Sequence, residues 1–235
     1  MNRFQALTSL VVVVLLGIPW TAEADLQAGS QTFTLFGGSA NGSGRDVLTT
    51  ADDDHHHGRE HGHIAGAQYL YFFRSVPALG IGLDGSWSSL RDRSDHLLSG
   101  DRLRLHERAT VAMPILKLTF PTGHLRPYIF GGIGAARTSG FASAQPLSGV
   151  TWTDTGTTER RTLVDDHAWQ AAASAGVGLD FYFTEHVFMG LEARETALGR
   201  HRYRTTADGQ ALGVTLRSPS NLQNVLVRLG MKWGR

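Results

Sequence analysis

The chain of 235 residues contains no cysteine. This absence excludes a disulfide-stapled secreted scaffold, a thiolate zinc site and a cysteine nucleophile. Charge is also scarce, because only 18% of the residues are charged, against roughly 25% in soluble domains. The 22 basic and 21 acidic residues nearly cancel, so the chain has neither a basic field for nucleic acid nor an acidic tail.

Glycine, in contrast, is abundant, with 28 residues in the chain. Because glycine weakens helix interiors, this abundance argues against a helical bundle. The length suits one domain with a full core or one mid-sized β-architecture.

The N-terminus has the features of a secretory signal peptide. Arg3 supplies a positive charge, residues 10–18 form an apolar run, and Ala22-Glu23-Ala24 is a cleavage pattern. The run is shorter than the roughly 20 residues that a spanning helix needs, so a membrane anchor is the less favoured alternative. We expect a signal peptide over residues 1–24 and one exported domain over residues 25–235.

Alternation of apolar with small or polar residues dominates the rest of the chain, and this is the period of a β-strand. In residues 224–233 the apolar face runs from Val225 to Trp233, and Arg228 lies on the other face. Pro114 and a change of apolar face nearby indicate a bulge or a different register. The pattern predicts eight strands, over residues 31–38, 64–73, 79–88, 108–119, 127–137, 169–183, 187–194 and 224–233.

The connections between these strands alternate in length. Three are short, at residues 74–78, 120–126 and 184–186, and four are long and polar, at residues 39–63, 89–107, 138–168 and 196–223. Short turns at one end and long loops at the other are typical of an outer-membrane barrel. An even number of strands then places both termini at the periplasmic, short-turn end.

The two faces of the predicted strands favour the same architecture. One face is apolar, whereas the other carries mostly Gly, Ser, Ala and a few charges, which suits the narrow interior of eight strands. A soluble core filled by the aromatic residues is the alternative. Aromatic residues also lie near both strand ends, where membrane barrels have interface girdles: Trp87, Trp169, Tyr71, Phe73, Phe181, Phe183 and Trp233.

Residues 127–136 (PYIFGGIGAA), 174–194 (SAGVGLDFYFTEHVFMGLEAR) and 225–233 (VLVRLGMKW) carry a family resemblance. The chain resembles the small outer-membrane β-barrel superfamily of opacity-type porins and the barrel domain of outer-membrane protein A. The resemblance implies an all-β, eight-stranded antiparallel up-and-down transmembrane β-barrel with four long extracellular loops and three short periplasmic turns.

The same resemblance implies the outer membrane of a Gram-negative bacterium as the location. It implies a monomer that periplasmic chaperones deliver and that the barrel-assembly machinery inserts, surrounded by outer-membrane lipids and lipopolysaccharide. Family members usually end in an aromatic residue, whereas Trp233 is followed here by Gly234 and Arg235.

Charged residues on the inward face are the first candidate site. Unpaired charges in a narrow barrel are costly, so we expect a paired network, with Glu192 and Arg228 as partners on adjacent strands. The network is expected to act as a plug, and a gated ion path is the alternative. Its members are Asp84, Asp180, Glu192, Arg194, Arg228 and Lys232.

A histidine-rich stretch in the first long loop is the second candidate. Imidazole and carboxylate groups at this density can chelate Zn²⁺, Ni²⁺ or Cu²⁺. The alternatives are a solvated loop with adventitious affinity and a pH-responsive loop. The predicted ligands are His55, His56, His57, His61 and His63.

Two further groups of residues are candidate sites, one for hydrolysis and one for binding of lipopolysaccharide. A hydrolase needs a serine, a histidine base and an acid within reach, and the residues that could supply them are His106, Glu107, Ser174 and His201. Because no nucleophile motif surrounds them, we expect no enzyme and no cofactor. Arginines in the last two long loops suit anionic lipopolysaccharide, or are simply solvated: Arg160, Arg161, Arg200, Arg202 and Arg204.

Together these features predict a small outer-membrane barrel with a structural or surface-interaction role, in membrane integrity, in adhesion or in contact with a host or matrix ligand through the loops. A narrow porin-like channel for small solutes is the alternative, and metal capture by the first loop is a lower one.

Overall fold

The computed structural model describes residues 28–43, 48–50, 53–56, 60–94, 101–120, 123–146, 156–211 and 213–234. The predicted signal peptide lies outside these residues. The elements are β1 (Gln31–Ser43), β2 (Leu48–Thr50), β3 (Asp53–His56), β4 (Glu60–Phe72), β5 (Leu79–Ser94), β6 (Asp101–Thr119), β7 (Leu125–Pro146), β8 (Arg161–Tyr182), β9 (Val187–Leu198), α1 (Ala207–Ala211), β10 (Thr215–Leu216) and β11 (Asn221–Trp233).

Eight of these strands close into an antiparallel barrel in the order β1-β11-β9-β8-β7-β6-β5-β4. Each strand pairs with its neighbour along the chain, and β1 pairs with β11 to complete the circle. The predicted eight-stranded up-and-down barrel is therefore confirmed. A small sheet outside the barrel joins β10, β2 and β3. No helix among the described residues is long and apolar enough to cross a membrane.

Most barrel strands are longer than the alternation of apolar residues predicts. β7 and β8 have 22 residues each, about twice the 9–11 residues that cross a bilayer. The segments 89–107 and 138–168, which were expected to be loops, are largely strand. The physical reason is that the backbone pairing continues after the outward apolar face has ended, where the outward residues are mostly polar.

The register in β6 is continuous through Pro114. Ala112 pairs with Ala135 and Ile115 pairs with Gly132, so the pairing before and after the proline belongs to one register. The bulge suggested by the sequence is absent here. The apolar face changes because Met113 and Ile115 point into the barrel and are buried, while Leu116 points outward.

The outward face is an exposed apolar band. Leu83 is 64% exposed and Trp169 is 72% exposed, and a continuous surface of this kind marks contact with a membrane or a partner. Tyr71 and Phe73 make an edge-to-face contact at the short-turn end. Trp87 contacts the ring of His63 near the other end.

The interior holds larger side chains than predicted. Five inward aromatic residues each pair directly with a glycine on the next strand, and a β-carbon on that glycine would meet the facing ring. Glycine therefore makes room for rings, and the expectation of a mostly Gly, Ser and Ala interior is corrected. The pairs are Phe36–Gly66, Phe72–Gly80, Tyr128–Gly178, Phe130–Gly176 and Phe188–Gly230.

Candidate functional site

A network of buried polar side chains crosses the middle of the barrel. Seven of the eight barrel strands contribute polar side chains, and β1 contributes Phe36, whose ring lies 4.7 Å from the Arg194 guanidinium carbon. We call the polar members the interior network: Gln68 on β4, Asp84 on β5, Lys117 on β6, Tyr128 on β7, Asp180 on β8, Glu192 and Arg194 on β9, and Arg228 on β11.

Arg194 is held by two carboxylates from different strands. Its two terminal nitrogens each donate to one oxygen of Asp84 at 2.8 Å. Its Nε donates to Glu192 Oε1, also at 2.8 Å. The side chain is 1% exposed, and the bidentate pair with Asp84 spans the barrel interior, because β5 and β9 are not neighbours.

Arg228 is the second arginine of the interior network and is fully buried. It lies 3.1 Å from Glu192 and 3.5 Å from Asp180, so the predicted partners Glu192 and Arg228 are in contact. Arg228 also donates to Gln68 Oε1 at 2.8 Å and to the hydroxyl of Tyr128. Gln68 in turn donates to Asp84 at 3.0 Å, which connects the two arginines.

Lys117 completes the charge balance. Its Nζ lies 2.8 Å from Asp180 Oδ2 and 3.5 Å from the centre of the Tyr128 ring. Three acids therefore face three bases, and the network is neutral as a whole. A buried group of charges is tolerable only when each is paired and hydrogen-bonded, and this arrangement meets that requirement.

The structure places the six predicted inward charges inside the barrel, but in two groups. Five of them belong to the interior network. Lys232 lies near the short-turn end, with its Nζ 6.0 Å from the centre of the Tyr182 ring, and Arg126 covers the same ring at 3.9 Å. Sequence reasoning missed Gln68, Lys117 and Tyr128.

Apolar layers close the barrel above the interior network. Toward the long-loop end, Ile64, Leu90 and Leu226 belong to one buried cluster. Residues 199–211 and 213–220, which we call the capping segment, fold over the strand extensions beyond it. Tyr203 and Leu216 from this segment pack with Leu163 of β8 in a second buried cluster.

The capping segment is fastened to β8 by hydrogen bonds. The amide of Thr206 donates to Leu163 O at 2.9 Å, and the amide of Arg204 donates to Asp166 Oδ2 at 2.8 Å. Burial opposes ionisation of Asp166, but the amides of Arg204 and His167 outweigh it and lower the pKa of this carboxyl.

The predicted histidine ligands are only partly described. His57 lies outside the described residues, and for His55 and His56 the structure describes only their place in β3. His61 and His63 belong to β4 rather than to a loop, and His61 Nδ1 contacts Asn41 Oδ1 at 2.6 Å. Within the described residues no three metal-ligating side chains converge, and the metal hypothesis stays a prediction.

The four hydrolase candidates are dispersed. Ser174 lies inside the barrel with its hydroxyl 3.1 Å from that of Thr196, whereas His106 lies outside on β6 and accepts a hydrogen bond from Arg108. Glu107 is buried on the opposite face of the same strand. His201 in the capping segment lies 3.9 Å from Asp166.

Comparisons with known proteins agree with this architecture. A family model described as the outer membrane protein beta-barrel domain matches residues 8–217. No curated protein matches the sequence. Among solved structures, the outer membrane protein OprG of Pseudomonas aeruginosa is 12% identical, with a TM-score of 0.55, over 89% of this chain and 99% of that one.

Two other solved barrels resemble the chain more loosely. Neisserial surface protein A is 11% identical, with a TM-score of 0.43, over 87% of this chain and 99% of that one. The attachment invasion locus protein Ail of Yersinia pestis is 12% identical, with a TM-score of 0.39, over 88% and 99%. The family match, the closed barrel and the apolar outer band together place the protein in the outer membrane of a Gram-negative bacterium, and the chain belongs to the outer membrane β-barrel domain family.

Proposed function

We propose that this outer-membrane barrel has a structural and surface-interaction role and does not conduct solutes. The observation that carries the proposal is the interior network, to which seven of the eight barrel strands contribute and against which β1 packs the ring of Phe36. An eight-stranded barrel has an interior that side chains just fill, and here they fill it with paired charges and aromatic rings.

Opening a path through this interior would be expensive. Arg194 would have to leave Asp84 and Glu192, to which it makes three hydrogen bonds of 2.8 Å. Separating a buried ion pair costs about 3–5 kcal/mol when one partner is lost. The narrow channel therefore ranks second, and the buried apolar clusters beyond the network favour closure further.

The long strand extensions direct the proposed role to the cell surface. About two-fifths of β7 and β8 projects beyond the apolar band, and their pairing continues as far as Ala144 and Arg161. The capping segment braces this projection. A rigid platform of this kind is suited to contact with cells, matrix or neighbouring surface molecules.

We also infer that the protein is not an enzyme. The support is the dispersal of the candidate hydrolase residues over the interior, the outer wall and the capping segment. A nucleophile and its base must lie within hydrogen-bond reach, and Ser174 lies inside the barrel while His106 lies on its outer wall.

A shortened barrel tests the surface role. In this variant, residues 92–105 and 142–163 are replaced by two-residue turns, so that the membrane-spanning part is kept. Cells that carry equal amounts of the shortened or full protein in the outer membrane are compared for adhesion to matrix-coated plates and cell monolayers, and for exclusion of a hydrophobic dye. We expect the shortened protein to lose adhesion or dye exclusion. Equal results for full, shortened and absent protein would contradict the proposal.

A further inference from the structure

The register of four strand pairs arranges the outward side chains in rows around the barrel. One row contains Ala65, Trp87, Thr110, Arg137 and Trp169, each paired directly with the next. We call it the tryptophan row. Tryptophan in a membrane barrel marks the level where hydrocarbon meets headgroups, so Trp87 and Trp169 mark the upper edge of the apolar band on β5 and β8.

The two rows above the tryptophan row are rich in basic residues. The first contains His63, Ser89, Arg108, Ser139 and His167, and the second contains His61, Arg91, His106, Phe141 and Asp165. Successive outward residues of a strand lie about 7 Å apart. Because barrel strands tilt by about 40°, each step of this kind rises only about 5 Å along the barrel axis. On each strand, the two rows therefore lie about 5 and 10 Å above the tryptophan row, at the headgroup level of the outer leaflet.

A groove of about 680 Å³ lies in this wall. We call it the arginine groove, and its charged lining consists of Arg91, Arg104, Arg108, Arg160 and, as the acid among the described lining residues, Asp165. Four guanidinium groups against one carboxylate leave a surplus of positive charge. Phe141, which is 37% exposed, provides an apolar patch in the same wall.

His106 positions one of these arginines. Arg108 Nε donates to His106 Nε2 at 2.8 Å, which requires a neutral imidazole nitrogen. Partial burial and the nearby charges of Arg108 and Arg91 lower the pKa of His106, so the neutral form is favoured. Because this bond uses only Nε, the two terminal nitrogens of Arg108 can donate to a further acceptor.

We propose that the arginine groove binds phosphate groups of lipopolysaccharide in the outer leaflet. The inference deepens the surface role proposed above and rests on it, but it is independent of the closed interior. Guanidinium groups match phosphate oxygens bidentately. Arg91, His106 and Arg108 lie in the two rows nearest the tryptophan row, so an anchored headgroup reaches this end of the groove from the membrane. Arg104 and Arg160 lie further out along the same wall. Phe141 and Asp165 suit the apolar face and the hydroxyls of an attached sugar.

The test uses the full chain in detergent micelles, titrated with rough lipopolysaccharide and with the same material after enzymatic removal of phosphate. The groove variant is Arg91→Gln/Arg108→Gln. The control, Arg74→Gln/Arg217→Gln, removes equal charge from exposed positions outside the arginine groove and outside the arginines proposed above for lipopolysaccharide. We expect the groove variant to bind phosphorylated lipopolysaccharide at least about tenfold more weakly, which is the loss of a single charge-assisted hydrogen bond. The control should change by less than about threefold.

The other outcomes contradict the inference. An equal loss of affinity in both variants would mean that binding depends only on net charge. Equal affinity for the phosphate-free material would mean that the groove does not recognise phosphate. Inositol hexakisphosphate, a soluble polyphosphate, separates the membrane source from a free one: if it binds as tightly as lipopolysaccharide, the assignment to the outer leaflet is wrong. None of these results bears on adhesion by the strand extensions, because the groove variant keeps the extensions and the capping segment in place, and its adhesion is measured beside that of the shortened barrel.

Discussion

Arg194 contributes to closure because its partners come from across the barrel. A pair between adjacent strands would only reinforce the wall, but the bond from Arg194 to Asp84 joins β9 to β5 through the interior. Phe36 and Phe130 lie against the guanidinium at 4.7 and 4.9 Å, so the charge is enclosed by rings as well as by carboxylates.

Breaking this pair should destabilise the barrel strongly. Arg194→Met leaves Asp84 buried without its main partner, and we expect a loss of about 3–5 kcal/mol in the free energy of unfolding. Urea titration of the protein in lipid vesicles measures this change in the free energy of unfolding. Arg200→Met, at an exposed position, serves as the control and should change stability by less than about 0.5 kcal/mol.

A second substitution sharpens this test. Adding Asp84→Leu to Arg194→Met removes the orphaned carboxylate, so the double variant should be more stable than Arg194→Met alone. If the double variant is as unstable as the sum of both single variants, the two residues are not coupled.

At the residue scale, the sequence identifies those members of the interior network that lie on strands with a strict alternation of apolar and polar residues. Asp180, Glu192 and Arg228 are of this kind. Lys117 was missed because the inward Met113 and Ile115 resemble an outward apolar face. Tyr128 and Gln68 were missed because single polar groups beside apolar neighbours carry no signal of direction.

At the element scale, period two identifies the eight barrel strands but not their ends. The signal comes from contrast between an apolar face and a polar face, and this contrast ends at the tryptophan row. Beyond it, β5 to β8 continue with mostly polar residues such as Arg, His and Ser outward, and backbone pairing together with the second buried cluster under the capping segment maintains the strands. The capping segment carries no periodic pattern from which its packing could be predicted.

The pairing of aromatic residues with glycine on the neighbouring strand leaves room for the rings inside the barrel, and it predicts how substitution of the glycines changes stability. Gly178→Ala and Gly230→Ala place a methyl group against the rings of Tyr128 and Phe188. We expect each to reduce the free energy of unfolding by about 1–3 kcal/mol, the usual cost of overpacking.

Gly85 is the matched control, because a β-carbon there meets nothing within 4 Å and faces outward. Gly85→Ala should leave stability unchanged or raise it slightly. The comparison is made by urea titration in vesicles. If Gly85→Ala is as damaging as Gly178→Ala, glycine is needed for the backbone of the strands and not for the rings.

At the scale of the whole molecule, the sequence predicts the membrane, the barrel and the charged interior, because each follows from the alternation of faces. The second buried cluster, under the capping segment, and the arginine groove both depend on which side chains the fold brings side by side. Arg91, His106 and Phe141 are distant in sequence but lie in one row. No local sequence pattern predicts that these three residues are neighbours.

The most direct test of the closed interior is conductance across a planar lipid bilayer. The refolded full chain is first shown to be folded by its faster migration in unheated denaturing gels, and a general porin serves as the positive control. We expect no discrete current steps above those of protein-free bilayers, because the interior network and the apolar layers occupy the path. Reproducible steps of one size, present with the folded protein and absent after heat denaturation, would contradict the account.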